Sequence, residues 1–170
     1  MDAVRRRCSG LLRALVLAGV LMAATISCSL DVPLGDHSPR PMGIGRTEKG
    51  DLAFFVALCP GEKLSLLAVV DADTQRPVWK VSQAREAMRD GGLLVLGDAA
   101  GFAQVETGLT LPLPSELAVS AQTDDGLWIE SVFPLVGVPQ SMAGTELVTD
   151  GENGAITRSD FQEKIHSRYC

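Results

Sequence analysis

The sequence predicts an all-β protein, an immunoglobulin-like or related β-sandwich with a short C-terminal helix. Apolar residues recur at every second position in several short runs, which is the pattern of half-buried strands. Turn residues separate these runs, and the Asp-Asp-Gly sequence at 124–126 is typical of a hairpin. At the C-terminus Phe161, Ile165 and Tyr169 recur at every fourth position, so they would share one face of a helix.

The first strand patterns follow a proline-rich stretch. Residues 52–58 are apolar on both faces, as expected of a strand that is covered on both sides. Residues 63–71 predict a second strand and residues 78–82 a third. In the third strand Trp79 and Val81 share a face, and we expect Trp79 to lie in the core, as a tryptophan does in many sandwiches.

The β pattern continues through the second half of the chain. Short runs at 93–96 and 102–107 predict two further strands. The stretch 109–114 contains two prolines, so we expect it to be an edge or a crossing connection between sheets. Residues 117–121 and 127–133 alternate on either side of the Asp-Asp-Gly turn, with Leu127, Ile129 and Phe133 expected on one face.

Two stretches have helical character. Residues 82–89 predict either a single helical turn or an extension of the preceding strand. Near the C-terminus Ser159 and Gln162 have the spacing of a capping box, which predicts that the helix begins there. We expect the helix to lie on the sandwich and to carry His166 as a partly exposed residue.

Residues 1–27 predict a signal peptide for export. Three arginines at 5–7 precede an apolar run at 14–26, which is shorter than the ~20 residues that a membrane span requires. The Ser27-Cys28 sequence that follows indicates lipid attachment at Cys28, which would anchor the mature chain to the membrane. The alternative is ordinary cleavage nearby, which would leave Cys28 as an odd thiol in a secreted protein.

The remaining chain divides into a tether and one domain. Residues 28–41 predict a lipidated N-terminus with a Pro-rich tether, and residues 42–170 predict a single β-sandwich domain. Residues 1–27 hold four of the 15 basic and one of the 21 acidic residues, so their removal leaves a net charge of −9. This charge disfavours nucleic acid as a partner, and membrane contact is expected through the N-terminal lipid.

Cys59 and Cys170 are the cysteines of the predicted domain. Outside the cytoplasm two such thiols are more often bridged than free. Neither belongs to a C-x-x-C pair, and the chain has only two histidines, so a metal site or a cysteine nucleophile has little support. The sequence predicts neither a metal nor a cofactor.

The sequence Cys-Pro-Gly-Glu at 59–62, followed by Trp79-Lys80-Val81, resembles a group of uncharacterised lipoproteins of actinobacteria. Residues 150–170 are similar to the glycine-rich hairpin, short helix and terminal cysteine of that group. The resemblance implies an extracytoplasmic β-sandwich in which Cys59 is paired with Cys170. It implies no activity.

The sequence contains no recognisable catalytic set. Residues 71–75 and 150–154 begin like calcium loops, but they lack the required glycine and glutamate, so we expect turns. A hydrolase triad needs a histidine, and neither His37 in the tether nor His166 in the helix has a suitable site. We therefore expect no enzymatic activity.

Trp128 is the candidate residue for a binding surface. Its face of the predicted strand includes Glu130 and would be exposed, and an indole ring offers both an apolar face and a donor. The sequence predicts an extracytoplasmic protein, lipid-anchored to the cell membrane or otherwise secreted, that binds an envelope protein or glycan. The alternatives are a passive structural or accessory envelope component and an enzyme with an unrecognised site.

Overall fold

Two five-stranded antiparallel sheets pack together and a helix follows at the C-terminus, which confirms the predicted β-sandwich. The computed structural model describes residues 40–140, 145–149 and 154–170. The predicted signal peptide, Cys28, His37 and most of the predicted tether lie outside these residues. All the described residues belong to one compact unit, Ser38–Cys170.

Each sheet combines strands from distant parts of the chain. In spatial order the first sheet contains β10 (Ala155–Thr157), β9 (Glu146–Thr149), β1 (Gly43–Arg46), β2 (Leu52–Val56) and β5 (Gly92–Val95). The second contains, in the same sense, β6 (Phe102–Thr107), β4 (Pro77–Ala84), β3 (Leu64–Asp71), β7 (Glu116–Thr123) and β8 (Trp128–Pro134). The helices are α1 (Glu86–Arg89) and α2 (Arg158–Tyr169), and a 3₁₀ turn spans Leu135–Gly137.

The order of seven strands is that of an immunoglobulin-like sandwich. In that fold strands A, B and E are neighbours in one sheet, while G, F, C and C′ are neighbours in the other. Here β1-β2-β5 and β8-β7-β3-β4 have the same order. The strands β6, β9 and β10 extend the two sheets beyond this common set.

The main core lies between the two sheets. Trp79 is 1% exposed and is the largest fully buried side chain, as its place in the sequence predicts. Phe54 on β2 stacks on Phe133 on β8, with their ring centroids 6.2 Å apart. Alternate residues of β7 are buried, so the predicted alternation of that strand is confirmed.

The helix α2 covers the outer side of β2. Phe55 and Ala57 point away from the main core and pack with Leu147, Phe161 and Ile165 in a second apolar cluster. The rings of Phe55 and Phe161 meet edge to face, 6.0 Å apart. Burial of both faces of β2 explains why residues 52–58 are apolar without alternation.

The structure corrects two local predictions. The capping box at Ser159 and Gln162 is wrong, because Thr157 is the N-cap and its Oγ1 accepts a hydrogen bond from the Asp160 N–H at 3.2 Å. Thr157 ends β10 in an extended conformation, so the chain passes directly from strand to helix. Leu127 does not share the core face with Ile129, because it belongs to the turn before β8 and is 39% exposed.

A disulfide joins Cys59, which follows β2, to Cys170 at the end of α2. Their Cα atoms are 5.5 Å apart, and the bond closes a sequence separation of 111 residues. His166 on the same helix is partly exposed, and its Nε2 lies 3.0 Å from the Leu58 carbonyl oxygen. The disulfide therefore fixes α2 to the end of β2.

Arg40, which the sequence assigned to the tether, is part of the folded domain. Its side chain is 8% exposed and forms two hydrogen bonds to Glu62, at 2.5 Å to Oε2 and 2.9 Å to Oε1. Glu62 Oε2 also accepts a hydrogen bond from the Cys59 N–H at 2.7 Å. The ion pair thus attaches the first described residue to the turn that carries the disulfide.

We expect Glu62→Gln to destabilise the domain by about 1.5–3 kcal/mol at neutral pH, the range for a hydrogen bond to a charged group. The hydrogen bond from Arg40 is the main cause that holds the pKa of Glu62 below its ordinary value of 4.5, and the Cys59 N–H adds to it against the opposing effect of burial. Because the pKa is lowered in the folded state, this stabilisation is complete above pH 4.5 and is lost as the pH falls through the lowered pKa.

Urea unfolding of wild-type and variant protein between pH 7 and pH 3 measures this effect. The difference between the two free energies of unfolding should shrink at the acid end. The exposed Glu48 provides a control, since Glu48→Gln should leave the unfolding free energy nearly unchanged at every pH. A pH-independent difference for Glu62→Gln would contradict the assigned role of the carboxylate charge.

Candidate functional site

The outer face of the second sheet carries the exposed tryptophan. Along β8 inward side chains are buried and outward side chains are exposed. Trp128 lies on the outward side and is 47% exposed, and Val132 follows it on the same side. The expected position of Trp128 is therefore observed, while its role in binding stays a prediction.

Trp128 begins a row of side chains that crosses all five strands of this sheet. The aligned pairs are Trp128 with Gln122, Gln122 with Leu66, Leu66 with Ser82, and Ser82 with Gln104. We call these five residues the transverse row. Since neighbouring strands are about 4.8 Å apart, the row is roughly 19 Å long.

A shallow cavity of about 420 Å³ opens beside the middle of the row. Leu66, Ser82 and Gln122 contribute to its lining, together with Gln83 and Arg89. The row therefore combines an exposed indole ring with a concave surface.

Gln83 reaches the outer face through an unusual backbone conformation. Its φ is 57°, in the left-handed region that a residue with a side chain rarely adopts. A regular strand would direct Gln83 to the same side as the buried Val81. Instead Gln83 is exposed, its Nε2 donates a hydrogen bond to Gln104 Oε1 at 3.2 Å, and Ala84 packs against the core. The left-handed residue thus places another amide beside the transverse row.

Charged side chains near the row are paired with one another. Lys80 Nζ lies 2.6 Å from Glu106 Oε2, and Arg89 forms an ion pair with Asp124. Hydrogen bonds from Lys80 and then from Ser82 hold the pKa of Glu106 below its ordinary value. Among the polar members of the transverse row, Gln122 and Gln104 consequently present neutral amide groups, whereas Ser82 is only 8% exposed.

The neighbouring row of the same face has small side chains at its centre. It aligns Glu130 with Ser120, Ser120 with Ala68, and Ala68 with Lys80. Ser120 and Ala68 have small side chains, and Ser120 Oγ donates a hydrogen bond to Glu130 Oε1 at 3.3 Å. The small central residues leave space above the sheet next to the transverse row.

The residues considered for catalysis or metal binding do not converge. His166 contacts Leu58, whereas Asp71 is the last residue of β3 and accepts hydrogen bonds from the N–H groups of Asp73 and Thr74. The predicted turn at 71–75 is thus present, and most of 150–154 lies outside the described residues. Within residues 40–140, 145–149 and 154–170, no group of three or more His, Cys, Asp or Glu could hold a metal ion.

Comparison with protein-family models, with curated proteins and with solved structures finds no match for this chain. Of the helices in the described part of the chain, none has the length and apolar character needed to cross a membrane.

Sequence reasoning found Trp128 but missed the other members of the row. In the sequence Gln104 and Gln122 are simply polar positions of alternating strands. Their alignment depends on the register of four strand pairs, which the alternation of each strand does not specify. The sequence therefore indicates which residues of each strand are polar. It does not indicate which residues of the adjacent strands lie beside them.

Proposed function

We propose that this chain is a lipid-anchored extracytoplasmic protein whose β-sandwich binds another macromolecule of the cell envelope through the transverse row. The observation that carries the proposal is the exposed Trp128 aligned with Gln122, which helps to line a cavity of about 420 Å³ on the outer sheet face. Tryptophan is enriched among the residues that dominate binding energy, because one side chain supplies a large apolar area and a hydrogen-bond donor.

The predicted leader and Cys28 support the location in this proposal. Eleven residues separate Cys28 from Arg40, and at ~3.3 Å per residue they could reach roughly 36 Å from an anchored lipid to the domain. The Cys59–Cys170 disulfide suits an oxidising compartment. The resemblance of the Cys-Pro-Gly-Glu turn and Trp79 to actinobacterial lipoproteins also supports an extracytoplasmic, lipid-anchored location.

Photo-crosslinking in intact cells tests the proposal. A photoreactive amino acid at position 128 should yield one dominant crosslinked product from the envelope fraction, and mass spectrometry of the recovered protein should find Cys28 acylated. Position 111 is the matched control, because Leu111 is also exposed, at 70%, but lies in the β6–β7 connection outside the transverse row.

The lipid anchor and the binding function can each be contradicted by a separate result. An unmodified thiol on Cys28 at the mature N-terminus would contradict the lipid anchor. The same diffuse background from positions 128 and 111 would contradict specific binding and favour a passive envelope component. A dominant product from position 128 alone would support the binding function.

A further inference from the structure

We infer that the transverse row binds a neutral polysaccharide strand, an inference that rests on the binding function proposed above. A sugar ring presents an apolar C–H face and a rim of hydroxyl groups, each of which donates and accepts hydrogen bonds. Trp128 offers an exposed flat apolar surface for the first. Gln122 and Gln104 offer amide partners for the second.

The charges around the row favour a neutral ligand over an anionic one. Lys80 is neutralised by Glu106, and Arg89 by Asp124, so the nearby cations already have carboxylate partners. The whole chain carries a net charge of −6, which repels polyanions such as nucleic acids and acidic polysaccharides. A polyhydroxylated neutral polymer needs no charged partner, and its hydroxyl groups can form hydrogen bonds with the amides of Gln122 and Gln104.

The direction of the row favours a polysaccharide over a peptide. An extended peptide gains most of its affinity by pairing its backbone with an edge strand, and it would then lie parallel to β8. The transverse row runs across the strands, where only side chains are available as partners. Its length of roughly 19 Å, from five strands about 4.8 Å apart, can contact several consecutive sugar rings.

Gln83 supplies a second and independent observation. A left-handed conformation costs a residue with a side chain about 1–3 kcal/mol, and such residues cluster at functional sites. Here it turns an amide away from the core side and toward Gln104, at the end of the row opposite Trp128. One end of the ligand would thus stack on Trp128, and the other end would contact the paired amides of Gln83 and Gln104.

Fluorescence quenching by acrylamide provides a direct test, because the chain has only two tryptophans. Trp128 is 47% exposed and accessible to the quencher, whereas Trp79 is 1% exposed and serves as an internal reference. The probes are oligosaccharides of six or more units built from glucose, mannose, galactose or N-acetylglucosamine. At least one should lower the quenching constant several-fold, while hyaluronan oligosaccharides should not.

Paired glutamine variants separate a binding role from a structural one. Gln83→Gly removes the amide and relieves the left-handed strain, so it should weaken oligosaccharide binding about fivefold or more without lowering the melting temperature. Gln75→Gly is the matched control, because Gln75 has the same conformation, with φ 58°, in the β3–β4 turn. It should relieve similar strain and leave binding unchanged.

The results distinguish this inference from the broader function. If no neutral oligosaccharide protects Trp128 while crosslinking at position 128 captures an envelope protein, the polysaccharide inference fails and the binding function stands. If neither occurs, both fail. Equal effects of Gln83→Gly and Gln75→Gly on oligosaccharide binding would also overturn the role assigned to Gln83.

Discussion

Trp79→Ala is expected to destabilise the domain by about 3–5 kcal/mol, the usual range for removing a buried tryptophan side chain. Trp79 lies on β4 between the sheets and is the largest fully buried side chain. The truncation loses its burial and leaves a cavity that the two paired sheets can close only in part. In a domain of this size the melting temperature should fall by roughly 10–20 °C.

Trp128→Ala is the matched control for the same chemical change at an exposed position. It should alter the unfolding free energy by no more than about 0.5 kcal/mol. Thermal and urea unfolding followed by far-UV circular dichroism measure both variants, since that signal arises mainly from the backbone. If Trp79→Ala does not fold, Trp79→Phe should fold with an intermediate loss of stability. Equal stabilities of the two alanine variants would contradict the assignment of Trp79 to the core.

Cys59→Ser combined with Cys170→Ser is expected to lower the unfolding free energy by about 4–5 kcal/mol. The bond closes a separation of 111 residues, and its removal gives the unfolded chain the conformational freedom of that loop. The chain-entropy relation assigns ~4.7 kcal/mol to a loop near 100 residues. The double variant is preferred because a single substitution would leave an odd thiol.

Guanidinium unfolding with and without a reductant measures the contribution of the disulfide. Reduced wild-type protein should match the double serine variant, and reductant should not change the variant further. Hydrogen exchange should become faster in α2, because the bond holds the end of that helix to the end of β2. An unfolding midpoint that does not change on reduction would contradict a stabilising disulfide.

Strands with regular alternation were predictable from the sequence. The β7–β8 hairpin follows directly from two alternating runs around the Asp-Asp-Gly turn, and β6 has the predicted limits, Phe102–Thr107. The strand β1 was missed because two of its four residues, Gly43 and Gly45, have no side chain to form a pattern. A Cβ atom on Gly45 would lie 2.7 Å from the Glu146 carbonyl oxygen, so the close approach of β9 explains the glycine.

The candidate site was predictable only in part. Exposure of Trp128 follows from the alternation of β8, since Ile129 beside it is buried in the core. The contribution of Gln83 was not predictable, because its left-handed backbone reverses the side to which alternation would assign it. Strand register and one backbone angle therefore decide which side chains share the outer face of the sheet with Trp128.

The two ends of the described chain meet at one pole of the sandwich. Arg40 is bonded to Glu62, and Cys170 is bonded to Cys59, three residues earlier in the same turn. A short peptide could consequently join these ends in a circular permutant, with new termini opened in the β3–β4 turn. For the same reason, a reporter domain fused after Cys170 would be held beside the turn at 59–62, close to Arg40.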